Sequence, residues 1–138
     1  MLEEIAMELH RGRLIDHVHL RARDLKASQR FYAAILGVLG IPVVRDDKHL
    51  AADELWIDAG EQGSHVHLAF QTSDREMVDK AWRAGLAAGG KDNGAPGERK
   101  YHPGYYAGFL FDPDGNNIEV VHHGPAERSA ASVKLTFG

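Results

Sequence analysis

Histidine is the residue to start from. The 138-residue chain has nine of them and no cysteine, so any transition-metal site must be built from imidazole and carboxylate rather than thiolate. Two His-x-His pairs stand out, His17 with His19 and His65 with His67. On a strand, alternate residues share a face. Each pair could therefore supply one ligand, His17 or His67, and one neighbour, His19 or His65, that lines the cavity or supports the ligand. The carboxylate candidate is Glu119, set among Ile118, Val120 and Val121, where an ionised group is costly to desolvate unless something pairs with it. Two neutral imidazoles and one carboxylate can hold a single divalent metal (Fe2+, Mn2+, Ni2+, Co2+ or Zn2+) and leave positions open for water or substrate. Asp58 is a weaker second carboxylate. His17, His67 and Glu119 are 50 and 52 residues apart, so no local motif assembles them and the fold must. The competing reading is a set of polar side chains on a half-exposed sheet face.

The elements that must position these residues follow from patterning. Leu14 to Arg21 alternates like a strand. Asp24 then caps a helix whose Leu25, Phe31, Tyr32, Ile35, Leu36 and Leu39 make one apolar face, closed by Gly37, Gly40 and Pro42. Short strands are expected at 43–45, 49–52 and 55–59. His65 to Gln71 is a further strand, and Ser73-Asp74-Arg75-Glu76 has the form of a capping box. It opens a second helix with Met77, Val78, Ala81, Trp82 and Leu86 inward, ended by Gly89-Gly90. An irregular loop, 93–106, leads to a hairpin: Phe109-Leu110-Phe111, a turn over Asp112-Pro113-Asp114-Gly115-Asn116-Asn117, and a return strand carrying Glu119. The first thirteen residues place Leu2, Ile5, Ala6 and Leu9 at helical spacing, giving either a short helix or a frayed extension. Val133–Phe137 offers a small added strand at the other end or a disordered tail.

Residues 17–40 and 67–90 repeat one another at an offset of 50: His17 on His67, Leu20 on Phe70, Asp24 on Asp74, Tyr32 on Trp82, Leu36 on Leu86, Gly40 on Gly90. The chain then reads as two copies of a β-α-β-β-β unit, the first ending in Trp56-Ile57-Asp58-Ala59 and the second in Asn117-Ile118-Glu119-Val120. Packed about an approximate twofold axis, the copies would bring His17, His67, Glu119 and Asp58 together. The expected organisation is an α+β fold: an N-terminal extension at 1–13, one domain at 14–123 made of modules 14–60 and 65–123, and a tail at 124–138.

Bulk properties limit the partners. A net charge of −4 with no basic run argues against nucleic-acid binding. No apolar run is long enough for a signal peptide or membrane span, so a soluble, cytoplasmic protein is expected. Gly85-Leu86-Ala87-Ala88-Gly89-Gly90-Lys91 has the spacing of a phosphate-binding loop, but it ends a helix and Asp92 replaces the required hydroxyl. The offsets in Asp112-Pro113-Asp114-Gly115 are wrong for a calcium loop.

Asp16-His17-Val18-His19-Leu20, Asp24-Leu25, Phe31-Tyr32, Leu36-Gly37, His67-Leu68-Ala69-Phe70 and 111–119 together resemble the vicinal oxygen chelate superfamily, which includes glyoxalase I, extradiol dioxygenases, and fosfomycin- and bleomycin-resistance proteins. The match runs over roughly 14–123. The resemblance implies paired modules whose curled mixed sheets form a cup around a divalent metal, with His17, His67 and Glu119 as ligands. Asp58 is the only residue available for the fourth, glyoxalase-type carboxylate. It also implies Lewis-acid chemistry on an oxygen-chelating substrate, as a lyase, isomerase or ring-opening dioxygenase. The alternative is a bleomycin-resistance-type protein that sequesters a small molecule without turning it over. Members usually dimerise, and in some the triad is shared between chains. The loop at 93–106 supplies cations and phenols: Arg99 or Lys100 to clamp an anionic substrate, and Tyr101, His102 or Tyr105 to stack or relay a proton.

Overall fold

The structure is a computed structural model and describes residues 7–138. Two helices carry its core. Asp24 caps α1 (Leu25–Val38), its side chain accepting from the Ala27 amide at 3.1 Å, and Phe31, Tyr32, Ile35 and Leu36 form the buried stripe. Asp74 caps α2 (Arg75–Ala87) in the same way, accepting from the Met77 amide at 2.8 Å. The cap is therefore Asp74 and not Ser73, and its carboxylate satisfies an otherwise orphan amide of the first turn. Val78, Ala81 and Gly85 are buried on α2, whereas Leu86 is exposed. Helix α1 packs on α2, and a methyl group on Gly85 would stand 2.8 Å from Ile35 and 2.6 Å from Leu110. Only a residue without Cβ lets the second helix come this close.

Each helix lies on its own mixed sheet. The first has the order β2 (Val18–Ala22), β5 (Leu55–Ala59), β4 (His49–Ala52), β3 (Val44–Arg45). The second runs β6 (His67–Gln71), β10 (Asn117–His122), β9 (Tyr106–Phe111), β7 (Lys91–Asp92), with β8 (Gly97–Glu98) also on β9. In both, the first strand of the module pairs in parallel with its last, and the remaining pairs are antiparallel. The architecture is thus α+β, two β-α-β-β-β units in a row. Leu20, Leu50 and Ile57 from the first sheet and Leu110, Ile118 and Val120 from the second join the helices in one apolar cluster. The opposite faces of the two sheets carry His19, His49 and His67.

Ladder register corrects the internal alignment. Val18 pairs with Leu55, and Leu68 with Ile118. With β2 and β6 offset by 50, the counterpart of Glu119 is therefore Trp56, and Asp58 falls two residues further along. The strands are too short and too similar in pattern for sequence to fix this shift.

Strands also lie near both ends of the described residues. A two-stranded ribbon joins β1 (Met7–Arg11) to β11 (Val133–Phe137), antiparallel, from Met7 opposite Phe137 to Arg11 opposite Val133. A helix over the first thirteen residues does not form from Met7 onward, because pairing with β11 satisfies the β1 backbone; the rest of that stretch lies outside the described residues. Among the described residues no helix is long and apolar enough to cross a membrane.

Candidate metal centre

The hairpin at 111–117 fixes the register of the second sheet. Asp112, 5% exposed, accepts from the Asp114 amide at 2.9 Å, from the Asn116 amide and side-chain nitrogen at 2.8 Å each, and from the Tyr32 hydroxyl. Asn116 in turn accepts from the Val66 amide at 2.7 Å. This contact docks the start of β6 against β10, with His67 opposite Asn117 and Ala69 opposite Glu119. The turn thus aims the His67 and Glu119 side chains at each other.

Glu119 points away from the helices, yet it is only 2% exposed. His67 Nε2 lies 2.8 Å from Glu119 Oε1, and the Tyr105 hydroxyl donates to Oε2. Both carboxylate oxygens are therefore satisfied, as burial demands. Burial, reinforced by hydrogen bonding to Glu119, pushes the Tyr105 phenol up to about 12. The folded state holds this proton more tightly than an unfolded chain, whose phenol titrates near 10. Its contribution to stability is complete below pH ~10 and lost as pH rises through about 12. Replacing Tyr105 by Phe is expected to remove one late-titrating phenol from an ultraviolet pH titration and to leave Glu119 Oε2 without its donor. A Tyr105→Phe titration curve identical to wild type would contradict this placement.

The loop before β9 is tied back to the end of β10. Gly104 and Gly124 both have left-handed φ, and a Cβ on Gly124 would lie 2.8 Å from Gly104 Cα. That close backbone crossing sets His102 Nε2 at 2.9 Å from His123 Nδ1. His102 Nδ1 faces the Pro103 carbonyl at 2.9 Å and must carry hydrogen, so in the neutral pair His123 donates to His102. The Tyr105 ring meets both imidazoles edge-on. Tyr101, 72% exposed, packs on Tyr105. The Arg99 guanidinium sits 5.3 Å above the Phe109 ring and donates to the Ala95 carbonyl. Lys100 and His65 are exposed.

His19 belongs to the first sheet, which begins at Val18 and not at Leu14, so His17 lies outside its strands. His17 precedes β2, and its Nδ1 lies 2.8 Å from Asp16 Oδ1. That hydrogen bond, with a smaller contribution from Arg11, holds the Asp16 carboxyl below its usual range. A carboxylate at Nδ1 leaves the Nε2 lone pair of His17 free for a cation, an arrangement common behind metal-bound imidazoles. His19 Nε2 bonds Asp58 at 2.8 Å, and Arg21 Nε adds an ion pair at 2.9 Å. His19 is thus the first cause of the lowered Asp58 carboxyl. Beside them, Trp56 is 41% exposed and stacks on His49 at 4.2 Å between centroids. A cavity of about 550 Å³ is lined by His17, His19, Trp56, Glu54 and residues of β1.

One chain therefore brings together His67, Glu119 and Tyr105, and separately pairs His19 with Asp58 and His17 with Asp16. Among the described residues no group of three or more His, Asp or Glu side chains is close enough to hold a metal. The donors fit a metal in two parts. Two ligands each about 2.1 Å from an ion and at right angles are about 3.0 Å apart, close to the 2.8 Å between His67 and Glu119; a cation bound by both would replace the hydrogen they share. The second imidazole, that of His17, lies apart from this pair, just before the edge strand of the other sheet. The strands that carry or adjoin these histidines, β2 and β6, are both sheet edges, with backbone groups available for pairing. Sequence reasoning did not single out the His102–His123 pair, the Trp56–His49 stack or the role of Asp16. Asp16 was the one with a visible signal, a carboxylate directly before the histidine.

Comparison with known proteins covers the same span. The family model described as Glyoxalase/Bleomycin resistance protein/Dioxygenase superfamily matches residues 14–120. A glyoxalase/bleomycin resistance protein from Albidiferax ferrireducens T118 is 31% identical, with a TM-score of 0.67, over 79% of this chain and 98% of that one. A glyoxalase-related enzyme from Fulvimarina pelagi is 21% identical, with a TM-score of 0.66, over 91% and 98%. A lactoylglutathione lyase from Agrobacterium tumefaciens is 19% identical, with a TM-score of 0.59, over 80% and 94%, and shows the fold alone. No functionally curated sequence matches.

Proposed function

The chain belongs to the glyoxalase/bleomycin resistance protein/dioxygenase superfamily, and from that premise we propose that it is a divalent-metal-dependent small-molecule enzyme completed by a second copy of itself. His67 and Glu119 of one copy and His17 of the other would hold the ion. The observation that supports this most directly is a carboxylate only 2% exposed whose oxygen meets His67 at 2.8 Å, while the second imidazole, His17, stands just before the edge strand of the other sheet. When bound, the metal supplies Lewis-acid polarisation of adjacent substrate oxygens.

The remaining work falls to this chain's own residues. Tyr105 holds Oε2 of Glu119 and keeps its own proton at neutral pH. The His102–His123 pair offers a place to take up or return a proton, since an imidazole pair exchanges one between two nitrogens at little cost. Arg99 and Lys100 place positive charge on the loop before β9, suited to an anionic group on the substrate. Trp56 presents an indole face in the position that internal symmetry gives to Glu119. The first sheet thus contributes an apolar wall there and not a second carboxylate, and Asp58, engaged by His19 and Arg21, serves the wall and not the ion.

The test is elemental analysis of protein purified without chelator. Wild type is expected to retain a divalent metal, and His67→Ala to lose it while staying folded. Metal-free wild type that binds a small ligand as well as His67→Ala does would instead support sequestration.

A further inference from the structure

The β1–β11 ribbon lies outside the residues matched by the family model, which begins at 14 and ends at 120. It nevertheless reaches the candidate centre. Gly12 donates to the Ile15 carbonyl at 3.2 Å, and this turn brings the last residue of β1 back over Asp16. Arg11 Nη1 is held by two carbonyls, those of His10 at 3.0 Å and Asp53 at 2.9 Å. Its side chain is only 18% exposed, against 67% for Asp16 and 68% for His17. Arg11 Nε is buried and makes no hydrogen bond among the described residues; it faces Asp16 Oδ1 at 3.4 Å. The same oxygen takes the His17 Nδ1 proton at 2.8 Å.

An exposed histidine bonded to an exposed aspartate would ordinarily sample several rotamers, because each side chain gains entropy by letting go. Here one end of the chain of contacts is fixed. The guanidinium fork is immobilised by two backbone carbonyls and presents its remaining edge to the carboxylate. We propose that Arg11 is a positioning residue: through Asp16 it holds His17 in the Nδ1–H tautomer with Nε2 turned to the cavity that Arg11 also lines. The ribbon is what carries it, since β11 pairs with β1 up to Arg11 itself. Residues 133–137 thereby act on the centre without touching it.

This rests on His17 being a ligand, so the experiment separates the two statements. Nitrogen shifts of the His17 ring are measured by NMR in metal-free, 15N-histidine-labelled protein at a pH where imidazoles are neutral. Wild type is expected to show the Nδ1–H tautomer, and Arg11→Gln and Asp16→Ala to move towards the mixture of a free imidazole, with the other histidines unchanged. Ni2+ titration of the same samples is expected to weaken about 10-fold in both variants, in the range of an outer-shell partner. A His17 tautomer unaffected by Arg11→Gln overturns the proposal, whatever the metal result, because a merely structural arginine would lower stability without moving those shifts. Altered tautomers in a protein that binds no Ni2+ leave the positioning role standing and overturn the ligand reading.

Discussion

Glu119→Gln is expected to abolish high-affinity metal binding, lowering it by more than about 100-fold, beyond the loss typical of an outer-shell partner. The substitution keeps the volume and leaves one oxygen to accept from Tyr105, so the fold is expected to hold to within about 1 kcal/mol. It removes the charge that both His67 and a cation need. At 2% exposure, this carboxylate has few partners beyond His67 and Tyr105 to compensate its desolvation, and relief of that cost offsets the weaker hydrogen bonds. The informative result is the split between retained stability and lost metal, read by calorimetric titration with Ni2+ or Zn2+ and by chemical denaturation. Glu119→Gln protein that binds the ion as tightly as wild type would remove Glu119 from the centre.

Asp112→Ala is expected to be the most destabilising single change in the second module, at about 3–4 kcal/mol. The buried Asp112 carboxylate gathers the Tyr32 hydroxyl, two turn amides and the Asn116 side chain. Truncation strands a buried phenol whose proton the carboxylate and its burial hold well above the usual range. It also frees Asn116, which docks β6, so the His67–Glu119 pairing should loosen as well. A thermal midpoint lower by about 10 °C is expected. A loss below about 1 kcal/mol would mean that the stranded groups find other partners or water.

Much of this was legible in the sequence. The helical stripes, the Asp24 cap, the hairpin turn and the two copies of one unit follow from patterning, because each is a local choice that agrees with the global fold. Glu119 and His67 were legible as partners, since a carboxylate in an apolar strand needs compensation. Three things were not. The correspondence of Trp56 with Glu119 between the two modules depends on ladder register, which a period-two pattern cannot fix. The separation of His17 from His67 depends on how the modules pack, and types and spacing are silent on that. The ribbon pairs segments more than a hundred residues apart, a long-range pairing with no motif, so Met7–Arg11 read as part of a short helix or a frayed extension when it is a strand.

The proposal that one centre is built from two copies is tested most directly by mixing. His17→Ala and His67→Ala subunits, differently tagged and co-expressed, form a heterodimer in which one centre carries both lesions and the other carries neither. Isolated by tandem affinity steps, the heterodimer is expected to hold about one metal ion per pair of chains, against about two for wild type, while each homodimeric variant holds little. A heterodimer as empty as its parents, or a monomeric wild type with a full metal complement, would place the centre within a single chain.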